Sequence, residues 1–235
     1  MLRLGVPDSE EGALLSEIVA QFLQGRGYPV RRIHGFSGPK ACSQALTRRQ
    51  IDLCLEEPAV YALVMLRTRS QMLGISEISD LSRHPILIGG VSYEFLKDPN
   101  GWPALAAAYD LAIQPAALER GQTYEALQAG HVDFTDGHTT DAEIQRFGLV
   151  ALKDDRRVFP IRPIAPSVRR ELTRPLASVL APLGRLLDEA TLQRLNVRVK
   201  MEKVPIPEVA RAFLQEKGLI RAKPRFQFPW ISSRK

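Results

Sequence analysis

The residues best equipped for chemistry lie in one run, Asp133-Phe134-Thr135-Asp136-Gly137-His138-Thr139-Thr140-Asp141-Ala142-Glu143-Ile144. Carboxylates, an imidazole and adjacent hydroxyls can there donate, accept and carry charge. Apolar Val132 and Phe134 predict a strand end, Gly137 a tight turn, and Thr140 with Glu143 three residues on a capping box that opens a helix. Backbone N–H groups at such a helix start face whatever lies in front of the turn. A plain strand-turn-helix connection has the same pattern. Glu56 and Glu57, just after the apolar Ile51-Asp52-Leu53-Cys54-Leu55, could do acid/base work or hold a cation, or form a solvated loop.

Other chemistries find less support. His34, His84, His131 and His138 are far apart in sequence, so metal binding is not expected. Cys42 and Cys54 form no metal or redox motif, and two buried free thiols are expected in preference to a disulfide. There is no GxSxG motif and no Gly-rich phosphate loop. No cofactor is expected.

The 235 residues, 45% hydrophobic and 25% charged, suit one large domain or two small lobes. No apolar run approaches the roughly 20 residues of a spanning helix. Strand-like residues begin at Leu2, with no basic and apolar leader ahead of them. Either compartment therefore stays open: extracytoplasmic if a targeting segment has been removed, cytoplasmic if Met1 is the true start. The net charge of +6 is spread through the chain, except for a tail from Arg221 to Lys235 in which cations flank Phe226, Phe228 and Trp230. That tail is read as a strap on the body rather than a nucleic-acid arm.

The elements that must position these residues follow from periodicity. Leu2 to Val6 reads as a strand, and Asp8 with Glu11 as the cap of a helix whose pairs Leu14/Leu15, Ile18/Val19 and Phe22/Leu23 make one buried stripe. Strands over 28–33 and 51–55 flank a second helix, giving a βαβαβ order and a parallel sheet with ligand loops at the strands' carboxyl ends. Those loops carry Asp8, Ser37 and Glu57. A second α/β unit spans about 68–156, its own loops carrying Tyr93 and His138-Thr139. Helices over 176–187, 189–195 and 206–217 and a strand over 197–199 complete the chain.

Several stretches resemble the substrate-binding proteins of osmoprotectant ABC transporters, the glycine betaine/carnitine/choline group. They are Ile78-Ser79-Asp80-Leu81, Ser92-Tyr93-Glu94-Phe95, Tyr124-Glu125-Ala126-Leu127, Thr140-Asp141-Ala142-Glu143-Ile144, Phe159-Pro160 and Glu208-Val209-Ala210-Arg211-Ala212-Phe213-Leu214. The resemblance implies a two-lobed α/β fold of the periplasmic-binding-protein type (type II), with crossing strands near Tyr61–Leu66 and Val158–Pro163. Residues 1–64 with 160–220 would form lobe one, 65–159 lobe two, and 221–235 a basic, aromatic tail. It also implies a small-molecule ligand between the lobes, an ABC permease as partner if transport is retained, no nucleic acid, and a monomer.

In that family aromatic rings cage a quaternary ammonium, but at three matching places this chain has Glu57, His138 and Arg162. Several tens of residues usual in the family between Glu57 and Tyr61 are also missing. The expected ligand is therefore polar or zwitterionic, with the betaine cage lost. Arg162 would hold its carboxylate, Glu57 its ammonium, Thr139 and Thr140 would donate hydroxyls, and Tyr61 and Tyr93 would wall the cleft. Two other readings remain: a cytosolic enzyme using Glu56, Glu57 and His138, and a ligand-sensing module of a larger protein.

Overall fold

The computed structural model describes residues 1–36, 39–55, 60–159 and 166–221, with only the backbone of Pro39 and Lys40. Ser37, Glu56, Glu57, Arg162 and most of the tail lie outside these residues. In chain order the strands are β1 Leu2–Pro7, β2 Val30–Phe36, β3 Leu53–Leu55, β4 Tyr61–Leu66, β5 Gly90–Ser92, β6 Ala116–Leu118, β7 Phe134–His138, β8 Leu149–Ala151 and β9 Pro166–Val168. The helices are α1 Glu10–Gln24, α2 Pro39–Thr47, α3 Arg67–Leu73, α4 Tyr93–Lys97, α5 Trp102–Tyr109, α6 Thr123–Gln128, α7 Ala142–Arg146, α8 Thr173–Gly184, α9 Glu189–Asn196 and α10 Ile206–Glu216.

Lobe one is built on the sheet β2-β1-β3-β9, with β1 parallel to β2 and β3, and β9 antiparallel to β3. The expected parallel βαβαβ unit is present, and the chain returns to it after its excursion through lobe two. The stripe on α1 is buried as its four-residue recurrence dictates, Leu14, Leu15, Ile18 and Phe22 being fully enclosed against α8, α9 and α10. The cap is Ser9, whose Oγ accepts from the N–H of Gly12, one place on from the expected Asp8. Cys42 and Cys54 form a disulfide between α2 and β3, correcting the expectation of free thiols. Sequence could not reveal it because helix and strand bring the pair together only in the fold.

Asp52 binds lobe one together at the end opposite the strands' carboxyl termini. Its carboxylate accepts from the Arg3 N–H and guanidinium and lies 3.0 Å from Arg169, which follows β9. Hydrogen bonding from Arg3, aided by the charge of Arg169, holds the Asp52 carboxyl below the usual range. The stabilisation is thus complete above the unfolded-chain value of about 3.9 and is lost as pH falls through the lower folded value. Asp52→Asn should lower stability by about 2 kcal/mol at neutral pH, less than for a fully enclosed pair because Arg3 is partly solvated. Urea unfolding at pH 7 and pH 3 checks this, since the gap from the parent should narrow in acid.

Lobe two centres on β4, flanked by β7 and β8, both antiparallel to it. Leu63 and Met65 pack into one core with Phe95, Trp102 and Phe134, while Ala62 and Val64 pack into another with Leu127, Ile144 and Leu149. A strand covered on both faces is apolar at successive positions, which is why Tyr61–Leu66 reads as one run. β5 pairs parallel with β6, a strand not anticipated, and reaches β7 through a bridge from Gly89 to Phe134.

Two local readings are corrected. Val197–Met201 is a π-helical turn continuing α9, not a strand. The Val-x-Val pattern suits both, and burial of Val199 in the helical core decided the outcome. Gly137 is not a turn residue: β7 runs on through it to His138. A Cβ there would sit 2.1 Å from the Tyr124 hydroxyl, so glycine is needed to admit that phenol against the strand.

Candidate functional site

The carboxyl ends of β1 and β7 and the α9 region converge on a cavity of about 260 Å³ lined by Ser9, Glu10, Glu11, Arg120, His138, Thr140, Asp141, Ala142, Asn196 and Lys200. Both lobes contribute. Glu10 and Glu11 come from the first turn of α1, Asn196 ends α9 and Lys200 lies in the π turn. Arg120 precedes α6, and His138, Thr140 and Asp141 join β7 to α7.

Asp141 shapes this turn. Its Oδ2 accepts from the His138 N–H at 2.8 Å and from the Tyr124 hydroxyl at 2.6 Å. The carboxylate is thereby drawn back from α7: Asp141 occupies the N-cap position with no side-chain cap bond, and the Thr140/Glu143 capping box does not form. Burial and the adjacent Asp141 carboxylate push the Tyr124 phenol well above its ordinary range, so it stays a donor at physiological pH.

His138 lies inside a three-layer arrangement. Its ring stacks on Tyr61, its partner in the β4–β7 register, with centroids 5.5 Å apart. Arg120 approaches to 2.8 Å from His138 Nδ1. The same nitrogen lies 4.0 Å from Asp141 Oδ1, so the ring stands between a cation and a carboxylate. Tyr61 is held by Phe95 and Phe159 and donates to Asp98, so it supports His138.

The other expected ligand residues fall out as follows. Thr140 lines the cavity and Thr139 does not; the Thr139 carbonyl accepts from Gln193 and its N–H donates to the Val60 carbonyl, while the Thr140 carbonyl accepts from Asn196. Thr139 Oγ1 is buried without a hydrogen-bond partner among the described residues. Asp8 is exposed before α1, and the next three residues line the cavity in its place. Tyr93 is 51% exposed, with Lys97 against its ring. Ser37, Glu57 and Arg162 lie outside the described residues. Sequence reasoning missed Glu10, Glu11, Arg120, Asn196 and Lys200. Glu11 was read only as part of a cap, and Arg120 sits in a polar turn without a pattern. No cluster of three or more metal-binding side chains occurs among the described residues.

Two α/β lobes enclosing a small charged cavity define the architecture of periplasmic solute-binding proteins. A family model described as the substrate binding domain of ABC-type glycine betaine transport systems matches residues 1–57 and 54–216. The chain belongs to this family. The glycine-betaine-binding protein of Pseudomonas aeruginosa is 28% identical over 275 residues, covering 93% of this chain and 88% of its own. That alignment is longer than the present chain, so it contains gaps opposite it, in line with a shortened sequence. The glycine betaine-binding protein YehZ of Escherichia coli is 31% identical over 160 residues, covering 61% of this chain and 52% of its own. Among solved structures, a glycine betaine/carnitine/choline ABC transporter protein superposes with a TM-score of 0.83 at 17% identity, covering 93% of this chain and 99% of the other. Ligand-free YehZ from E. coli gives 0.78 at 23% identity, with the same two coverages. The chain is thus a substrate-binding protein of the osmoprotectant ABC transporter type.

Proposed function

We propose that the cleft takes a small zwitterionic or polar solute, held by charge pairing rather than by an aromatic cage, and delivers it to an ABC permease. The supporting observation is the placing of Arg120 against His138 in a cavity whose opposite wall carries Glu10 and Glu11. A ligand carboxylate would meet Arg120 and a ligand ammonium the α1 acids. At about 260 Å³ the cavity lies below the usual range for drug-sized ligands of about 300–1,000 Å³, which suits a small metabolite. The crossing strands are proposed near Tyr61–Leu66 and 158–163; because β4 pairs with β7 and β8 along 61–66, the boundary expected at 64 moves to about 60, giving lobes of about 1–60 with 160–220 and about 61–159. The protein acts as a monomer outside the cytoplasm. The Cys42–Cys54 disulfide supports that compartment, since such bonds persist in oxidising surroundings. No helix among the described residues is long and apolar enough to cross a membrane. The relatives are transporter binding proteins, and His138 is engaged by Arg120 and Tyr61, so an enzyme built on the acids and His138 gains no support.

A thermal-shift screen with betaines, choline, amino acids and small carboxylates tests the reading, because a ligand of the folded state raises stability by mass action. Shifts with zwitterionic or carboxylate solutes are expected. A large shift confined to choline would refute charge pairing as the basis of selection. The loss of the cage gives its own prediction. His138→Tyr combined with Arg120→Ala should bind choline at least about tenfold more tightly than the parent, by restoring a ring and removing a repelling cation. Calorimetric titration measures it.

A further inference from the structure

We infer that Gln193, Asn196 and Lys200 form a latch that keeps the two lobes closed before any ligand arrives, setting the open–closed balance of the cleft. The inference builds on the solute-binding reading of that cleft. The three side chains follow one another at intervals of three and four along α9 and its π turn, which places them on one side of the helix. Facing them is the turn from β7 into α7, part of the other lobe. Gln193 Nε2 donates to the Thr139 carbonyl at 2.5 Å. Asn196 Nδ2 donates both to the Thr140 carbonyl at 3.0 Å and to Glu11 Oε2 at 2.6 Å, so a single amide joins α9, the first turn of α1 and lobe two. Lys200 pairs with Glu143 Oε1 at 2.5 Å.

None of these contacts requires a ligand, and those to Thr139, Thr140 and Glu143 span the lobes, while the bond to Glu11 ties the same amide to lobe one. A solute that needs both walls binds only the closed form, so its apparent affinity scales with the fraction of molecules already closed. The latch raises that fraction. It acts on the same backbone that carries His138 and Asp141, which makes these three residues positioning groups for the cleft rather than ligand contacts. Asn196 is the pivot because it reads the position of Glu11, a cavity-lining acid, at the same time as that of lobe two.

Small-angle scattering of the ligand-free protein tests the latch directly. The parent should show a radius of gyration near the roughly 17–18 Å of a compact chain of this length. Gln193→Ala with Asn196→Ala should raise it, the closed-to-open ratio falling about tenfold for a loss worth about 1.4 kcal/mol of bonding. Hydrogen exchange should increase in peptides covering 138–146 and 189–201, with the thermal midpoint little changed. Asn196→Asp, which keeps the shape but sets a carboxylate beside Glu11, should open the lobes as well, and Glu11→Gln in that background should recover part of the closed population. Identical scattering from parent and both variants would overturn the latch. Because no ligand enters this experiment, its failure is separate from failure of the ligand screen.

Discussion

Gly137→Ala should destabilise the protein by about 3 kcal/mol or more, the sum of overpacking and a damaged buried hydrogen bond to a charged group. The added methyl would stand 2.1 Å from the Tyr124 hydroxyl and 3.2 Å from Asp141 Oδ2. Strand β7 is paired to β4 through this residue, Ala62 lying opposite Gly137, so the backbone has little freedom to yield. The phenol must move, and with it goes the bond that fixes Asp141 and, through Asp141, the His138 N–H. For a chain of this size the thermal midpoint should drop by roughly 6–12 °C. Tyr124→Phe separates the causes. It removes the atom in closest conflict and leaves ring carbon Cζ at 3.1 Å, so Gly137→Ala should cost less in that background than in the parent. Equal costs in both backgrounds would show that the tyrosine does not make glycine necessary.

Arg120→Ala should weaken binding of a carboxylate-bearing solute by about ten- to a hundredfold, the range of a lost charge-assisted hydrogen bond. Arg120 is exposed, and its described polar partner is His138, so the thermal midpoint of the ligand-free variant should remain within about 1 °C of the parent. Affinity and folding therefore separate in one variant. Titration with a carboxylate solute identified by the thermal screen gives the number. If affinity changes by less than twofold, the carboxylate is anchored elsewhere, and Arg162 becomes the next residue to replace. Lys200 is a weaker substitute, because Glu143 already neutralises it.

Some features were legible in the sequence because they depend on local periodicity. The paired apolar residues of α1 and the unbroken run of β4 each fixed an element, since burial on one face or on both leaves its own spacing. The resemblance carried the lobes, and its Thr140-Asp141 turn does lie at the cavity. Other features depend on contacts remote in sequence. Gly137 looked like a turn because glycine commonly makes one, whereas here it accommodates a side chain thirteen positions earlier. The amide of Asn196 meets Glu11 across 185 positions, and no pattern within either helix marks them as partners. Val197–Met201 went astray for a third reason: an alternating apolar triplet too short to choose between extended and helical backbone.

The Arg3–Asp52–Arg169 network lies at the opposite end of the lobe-one strands from the cavity, and the cores of both lobes are filled by other residues. On the proposed reading of the cavity, stability and selectivity are assigned largely to different places. A lineage could exchange cage tyrosines for a histidine, or change which charges face the solute, without endangering folding. The bracket formed by Gly137, Tyr124 and Asp141 is where that independence stops. Selection for a new solute would be free to explore Arg120, Glu10 and position 138, but would meet its barrier at the glycine one residue earlier.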